Sequence, residues 1–136
     1  MDSVTVAGVV VFDTDVLIDY GRADAKAMAV LEAARAAARP AVSLVTSLEL
    51  LAGCRDKQEL AVLDAFMATF RLIHFDGMIS RCTQDLMRRY RLSHGLRMPD
   101  AIIAATALTN GWPLISKNQK DYRFIEGINL PPYPGV

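Results

Sequence analysis

Apolar residues follow two rhythms along this chain, short unbroken runs rich in β-branched and aromatic residues and longer stretches in which they recur every three or four positions. Val9 to Phe12 is a run of the first kind and ends at Asp13, as a buried parallel strand feeding a loop would. Thr14 to Tyr20 and Ala25 to Ala38 predict helices divided at Gly21, the second with Met28, Leu31, Ala34 and Ala38 on one face. Val42 to Val45 predicts a second strand. Thr46 or Ser47 can cap a helix containing Glu49, Leu50 and Leu51, with Gly53 breaking it from a further helix over Lys57 to Thr69. That helix turns Leu60, Leu63, Phe66 and Met67 inward. Leu72 to Phe75 predicts a third strand, and Ile79, Cys82, Leu86 and Tyr90 recur at helical spacing up to Gly95. Pro99 suits a helix start, and it pushes Met98 out of helical geometry, so the next helix runs from Pro99 to just before Gly111. It is apolar almost all round from Ala101 to Leu108, which places it in the centre of the protein. Pro113 to Ser116 predicts a fourth strand, Lys117 to Phe124 a loop or short helix, and Ile128 to Leu130 a last strand.

Strand and helix in alternation predict the α/β class: a mainly parallel central sheet of four to five strands with helices on both faces, and ligands at the carboxyl ends of the strands. With 136 residues, 52% of them hydrophobic, the chain fits one domain with a sizeable core. No stretch approaches the roughly 18 apolar residues of a membrane span, and the start carries no basic leader, so the expected setting is the cytoplasm. Fifteen basic residues balance fifteen acidic ones, so any nucleic-acid binding must come from a local patch. Cys54 and Cys82 are too few and too far apart for a zinc cluster.

Against this apolar background, single carboxylates stand out. Asp13 and Asp15 are the only charged residues from Ser3 to Ile18, Glu49 the only one between Arg39 and Arg55, and Asp100 the only one from Met98 to Ser116. An ionised carboxylate removed from water needs a partner, a metal or an opening. Convergence of these acids on a divalent cation would suit phosphodiester hydrolysis, because the ion lowers the pKa of a water and shields the charge that develops on phosphorus. Oxygen ligands favour Mg²⁺ or Mn²⁺ over zinc.

Phe-Asp-Thr-Asp-Val-Leu-Ile-Asp at 12 to 19, Thr-Ser-Leu-Glu-Leu-Leu-Ala-Gly at 46 to 53, Pro-Asp-Ala-Ile-Ile-Ala-Ala-Thr-Ala at 99 to 107 and Leu-Ile-Ser-Lys-Asn-Gln-Lys-Asp-Tyr at 114 to 122 resemble the motifs of PIN-domain proteins. The resemblance is greatest to the VapC toxins of bacterial and archaeal toxin–antitoxin pairs. It implies a single PIN-like domain over residues 1–136, with 1–8 and 131–136 as loose termini. It also implies a Mg²⁺- or Mn²⁺-dependent endoribonuclease, held inactive by a small cognate antitoxin and often homodimeric. By position, the metal-binding acids would be Asp13, Glu49 and Asp100, all catalytic, with Asp121 or Asn118 completing the set. Thr14, Asp15 and Ser116 would support them from behind.

Other readings accompany each residue. Asp100 could complement its helix dipole, Asp13 could cap the helix after it, Glu49 could pair with Arg55 or Lys57, and Asp121 could be a solvated surface acid. His74 and His94 have no partner at a readable spacing. The basic cluster of Arg81, Arg88, Arg89, Arg91 and Arg97 could track a phosphate backbone, with Arg88, Arg89 and Arg97 as the candidate RNA contacts, or form an ordinary solvated face with Asp85. Two rival functions remain in view. Phe-Asp-Thr-Asp-Val also resembles the first motif of haloacid-dehalogenase-type phosphatases, and a PIN scaffold that only binds RNA or a partner protein would tolerate Asn118.

Overall fold

The structure, a computed structural model, describes residues 8–135. The expectation of a loose start at residues 1–8 falls almost wholly outside that range. The strands are β1 (Val9–Phe12), β2 (Arg39–Ser43), β3 (Arg71–Ile73) and β4 (Leu114–Ile115). They form one sheet in the order β3-β2-β1-β4, and every neighbouring pair is parallel. The helices are α1 (Thr14–Gly21), α2 (Ala25–Ala37), α3 (Leu44–Ala52), α4 (Lys57–Met67), α5 (Gly77–His94) and α6 (Met98–Asn110), followed by a 3-10 turn at Gln119–Asp121.

Alternation along β1 divides the core in two, since successive side chains of a strand face opposite ways. Val10 and Phe12 pack with α1, α2 and the end of α4 through Val16, Leu17, Leu31, Phe66 and Phe70. Val11 packs on the other side with α5 and α6 through Leu86, Tyr90, Ile103 and Ala104. Helices therefore cover both faces, and α6 lies in the centre, with six buried residues.

Several boundaries differ from the sequence reading, each for a local reason. β2 begins at Arg39 and ends at Ser43, because the Ser43 side chain accepts a hydrogen bond from the Val45 amide and caps α3; Leu44 and Val45 are the helix's first turn, and neither Thr46 nor Ser47 is the cap. α6 starts at Met98, one residue early, with Arg97 in extended geometry before it. Residues 128–130 form no strand and give the sheet a single bond, from the Leu114 amide to the Asn129 carbonyl at 2.9 Å. In α2 the buried face is Ala27 and Leu31, and Met28 points outward. α4 buries no residue, with Leu60 exposed and Val62 68% exposed, because only its last turn reaches the core. Beside it, Leu17, Ile18, Leu50, Val62 and Phe66 line an open apolar groove of about 720 Å³. At the other end of the chain, Gln119 Nε2 donates to the Pro131 carbonyl and Tyr133 packs on the Val10 and Phe12 side of the core.

Candidate active site

The order β3-β2-β1-β4 makes the gap between β1 and β4 the point where chain connections leave in opposite directions, which is where parallel sheets open a crevice at their carboxyl ends. Asp13 follows β1 directly and Ser116 follows β4. The Asp13 amide donates to the Ile115 carbonyl at 2.9 Å, so the two strand ends are locked side by side.

Asp13 is 6% exposed and fully engaged. Its Oδ1 accepts from the Thr14 amide at 2.8 Å, which makes it the cap of α1, and its Oδ2 accepts from the Ser116 hydroxyl at 2.8 Å. Burial above all, with the charge of Asp15, raises its pKa from 3.8 to about 7 in spite of the Ser116 hydrogen bond and the nearby Tyr122 hydroxyl. The capping and site roles thus coincide in one carboxylate. Thr14 extends the network. Its hydroxyl lies 2.7 Å from Glu49 Oε1 and 2.9 Å from the Thr46 hydroxyl. A carboxylate can only accept, so the Thr14 proton goes to Glu49, and Thr46 donates to Thr14 in turn. Glu49 therefore faces the crevice, while Arg55 pairs with Glu59 at 2.7 Å.

Asp100 stands in the first turn of α6, half-buried. Burial raises its pKa; the Tyr122 hydrogen bond and the Arg97 charge oppose the rise, and the charges of Asp121 and Glu49 add to it. The acid thus feels the two other acids expected at the site. Its Oδ1 accepts from the Tyr122 hydroxyl at 3.2 Å. Asp121, half-buried at the end of the 3-10 turn, is close enough to act on Asp100, whereas Asn118 is exposed and contributes its backbone amide, which donates to Asp15 Oδ2 at 3.0 Å. Asp15 fastens the loop after β4 to α1, with Ser116 Oγ at 3.4 Å, while its buried Oδ1 has no hydrogen-bond partner. Lys117 closes the same loop on Asp19 at 2.8 Å.

Tyr122 and Thr46 are the members of the site that sequence reasoning missed. Thr46 stands one helical turn before Glu49, which is a usable signal; Tyr122 reads as a polar-loop residue until the fold buries it.

The basic cluster divides. Arg89 pairs with Glu126 at 2.9 Å and lies over the Tyr90 ring, and Arg91 donates to the Gly95 and Leu96 carbonyls, which closes the end of α5. Among the described residues Asp85 forms no ion pair with Arg88 or Arg89. Arg97, at the cap of α6, is the arginine whose charge reaches Asp100. His94 stacks on Phe124 at 4.3 Å, away from the acids, and both cysteines are free.

The donor set is wholly oxygen: carboxylates that push one another's pKa upward, as acids do around a place left for a hard cation. Among the described residues no three acidic, histidine or cysteine side chains close into a ready-made cage. The acids brought together are Asp13 and Asp100, with Glu49 and Asp121 close enough for their charges to act on Asp100. In donor chemistry these residues fit Mg²⁺ or Mn²⁺.

The geometry defines the class: a parallel four-stranded α/β domain with an acidic crevice at its switch point. The chain is a member of the PIN domain family, whose model matches residues 10–126. It is 33% identical over 123 residues to Ribonuclease VapC10 of Mycobacterium tuberculosis (strain ATCC 25618 / H37Rv), covering 90% of this chain and 92% of that protein. It is 34% identical to Ribonuclease VapC19 of the same strain, covering 89% and 97%. Among solved structures, a toxin–antitoxin complex from Klebsiella pneumoniae matches with a TM-score of 0.77 at 30% identity, over 93% of this chain and 99% of that one. VapBC2 from Rickettsia felis, bound to a DNA fragment from its promoter, shares the fold with the same TM-score at 21% identity. Family membership sets aside the phosphatase alternative. No helix of the described residues is long and apolar enough to cross a membrane.

Proposed function

We propose that this chain is the toxin of a toxin–antitoxin pair, an endoribonuclease that hydrolyses RNA phosphodiester bonds with Mg²⁺ or Mn²⁺. The observation that carries the proposal is the pairing of Asp13 and Asp100, acids 87 positions apart in numbering (100 minus 13), at the switch point of the sheet, with the Tyr122 hydroxyl bonded to Asp100 and facing Asp13. The names of the relatives, ribonucleases and a toxin–antitoxin complex, agree with it. When bound, the cation supplies a water of lowered pKa and polarises the phosphate.

The protein's own groups do the rest. Asp13 and Asp100 would hold the cation, and Ser116 and the Thr14 amide keep Asp13 in one rotamer. Glu49, fixed by Thr14 through Oε1, would assist as a further carboxylate beside the ion. Asp121 adds negative charge on the opposite rim, while the Asn118 amide holds Asp15 and so the loop that carries Ser116. Arg97 is the cation best placed to meet an RNA phosphate at this crevice, with Arg88 and Arg89 further along the same helical hairpin. The partners of the reading are RNA, a small antitoxin and a second copy of the chain; sedimentation of the purified protein distinguishes one copy from two.

The deciding experiment is cleavage of a mixed structured RNA pool by purified chain freed of any co-purifying small protein, in EDTA, Mg²⁺ or Mn²⁺, beside Asp100→Asn. Cutting that needs the metal and is lost in Asp100→Asn is the expected outcome. A folded protein that binds RNA equally in EDTA and never cuts would favour the binding-scaffold alternative.

A further inference from the structure

Tyr122 does what none of the acids can do for itself. It sits at the C-cap of the 3-10 turn, with its amide donating to the Gln119 carbonyl at 3.1 Å, and its ring is 0% exposed in the core formed with α5 and α6. If only the ring mattered, phenylalanine would fill this place without burying a hydroxyl, and a buried hydroxyl is costly unless it finds a partner. This one finds Asp100 Oδ1 at 3.2 Å and faces the Asp13 carboxylate as well.

The two acids differ in what else holds them. Asp13 has the Thr14 amide and the Ser116 hydroxyl as donors, so its rotamer is set without Tyr122. Asp100 has no other hydrogen-bond donor among the described residues. Its carboxylate is half-buried, pressed by the charges of Asp121 and Glu49, and those repulsions favour rotation away from the crevice. The Tyr122 hydroxyl is the restraint that opposes them.

We propose that Tyr122 is the positioning residue of the metal centre: its hydroxyl holds Asp100 Oδ1 against the Asp13 side of the crevice and leaves Oδ2 directed at the cation. This rests on the reading that Asp13 and Asp100 bind a divalent ion. Groups that orient metal ligands in this way commonly change affinity by about 10- to 100-fold when removed. Tyr122→Phe keeps the ring in the core and deletes only the restraint.

The test is calorimetric titration with Mn²⁺ alone of the wild type, Tyr122→Phe and Asp100→Asn, together with thermal unfolding of each in EDTA. The expected result is that Tyr122→Phe melts with the wild type or above it in EDTA while its Mn²⁺ affinity falls about tenfold or more. Unchanged or tighter Mn²⁺ binding by folded Tyr122→Phe, with Asp100→Asn still defective, overturns the role of Tyr122 and leaves the metal reading standing. If the wild type takes up no Mn²⁺, or Asp100→Asn binds it as well as the wild type, the metal reading and the role of Tyr122 fall together. Should Tyr122→Phe melt well below the wild type in EDTA, the hydroxyl is a fold-stabilising bond and the positioning role is overturned.

Discussion

Asp13 carries three duties at one position: it ends β1, caps α1 and supplies the most deeply buried carboxylate of the crevice. Its raised pKa has a definite consequence for stability. A carboxylic acid whose pKa is higher in the folded protein than in the unfolded chain stabilises the fold below its unfolded value, and that contribution is lost as pH rises through the folded value. For Asp13 the window runs from 3.8 to about 7. The difference corresponds to about 4 kcal/mol of folding free energy when complete. In EDTA the wild type should therefore lose stability relative to Asp13→Asn between pH 5 and 8, as followed by thermal melts across that range. Mn²⁺ binding should run the other way and strengthen as pH rises through the same window, because the cation competes with the proton. At this scale much of the site was legible: a lone acid in an apolar run announces itself through the penalty for burying it. Tyr122 did not, because nothing within the loop from Lys117 to Phe124 says that its ring will be covered by α5 and α6. Arg97 was one of five arginines in the basic cluster and is singled out only by the action of its charge on Asp100. Arg97→Ala should weaken RNA binding and lower the salt slope by about one, whereas Arg89→Ala, already paired with Glu126, should do less.

At the level of elements, the helices that matter to the site are those with the clearest sequence signals. α6 is apolar because it is central, and Pro99 in its first turn suits the helix start that delivers Asp100. The strands were harder to bound, since the apolar run from Val42 to Val45 continues through the point where Ser43 turns the chain into α3. α4 was misjudged for a different reason: a helical pattern reports that a face is apolar but not that a neighbour covers it. The contrast can be measured. Leu31→Ala, in the core beneath α2, should cost about 2 to 5 kcal/mol in chemical unfolding, while Val62→Ser on open α4 should stay within about 0.5 kcal/mol. Asp76→Ala removes the side chain that accepts from the Ile79 amide at the start of α5 and should cost about 1 kcal/mol with Mn²⁺ affinity intact.

Over the whole molecule, net charge is zero, yet Asp13, Asp15, Glu49, Asp100 and Asp121 are gathered at one crevice, so the metal-free fold holds together against a concentrated repulsion. Saturating the site should therefore show directly in stability. At a free Mn²⁺ concentration 100 times the dissociation constant the gain is about 2.7 kcal/mol, visible as a higher melting temperature in the wild type and absent in Asp100→Asn. The parallel order of the sheet was readable from alternating strands and helices; the switch point was not, because strand order depends on which crossover each helix takes. One feature of that topology reaches beyond the folded state. The Ser116 hydroxyl meets Asp13 across 103 residues of chain, and Tyr122 arrives later still. During synthesis, all three acids, Asp13, Glu49 and Asp100, emerge from the ribosome before Ser116 and Tyr122, the hydroxyls that bond Asp13 and Asp100, so a nascent chain carries the acids without the assembled centre. Translation itself thus postpones assembly of the crevice until the last part of the chain has been made.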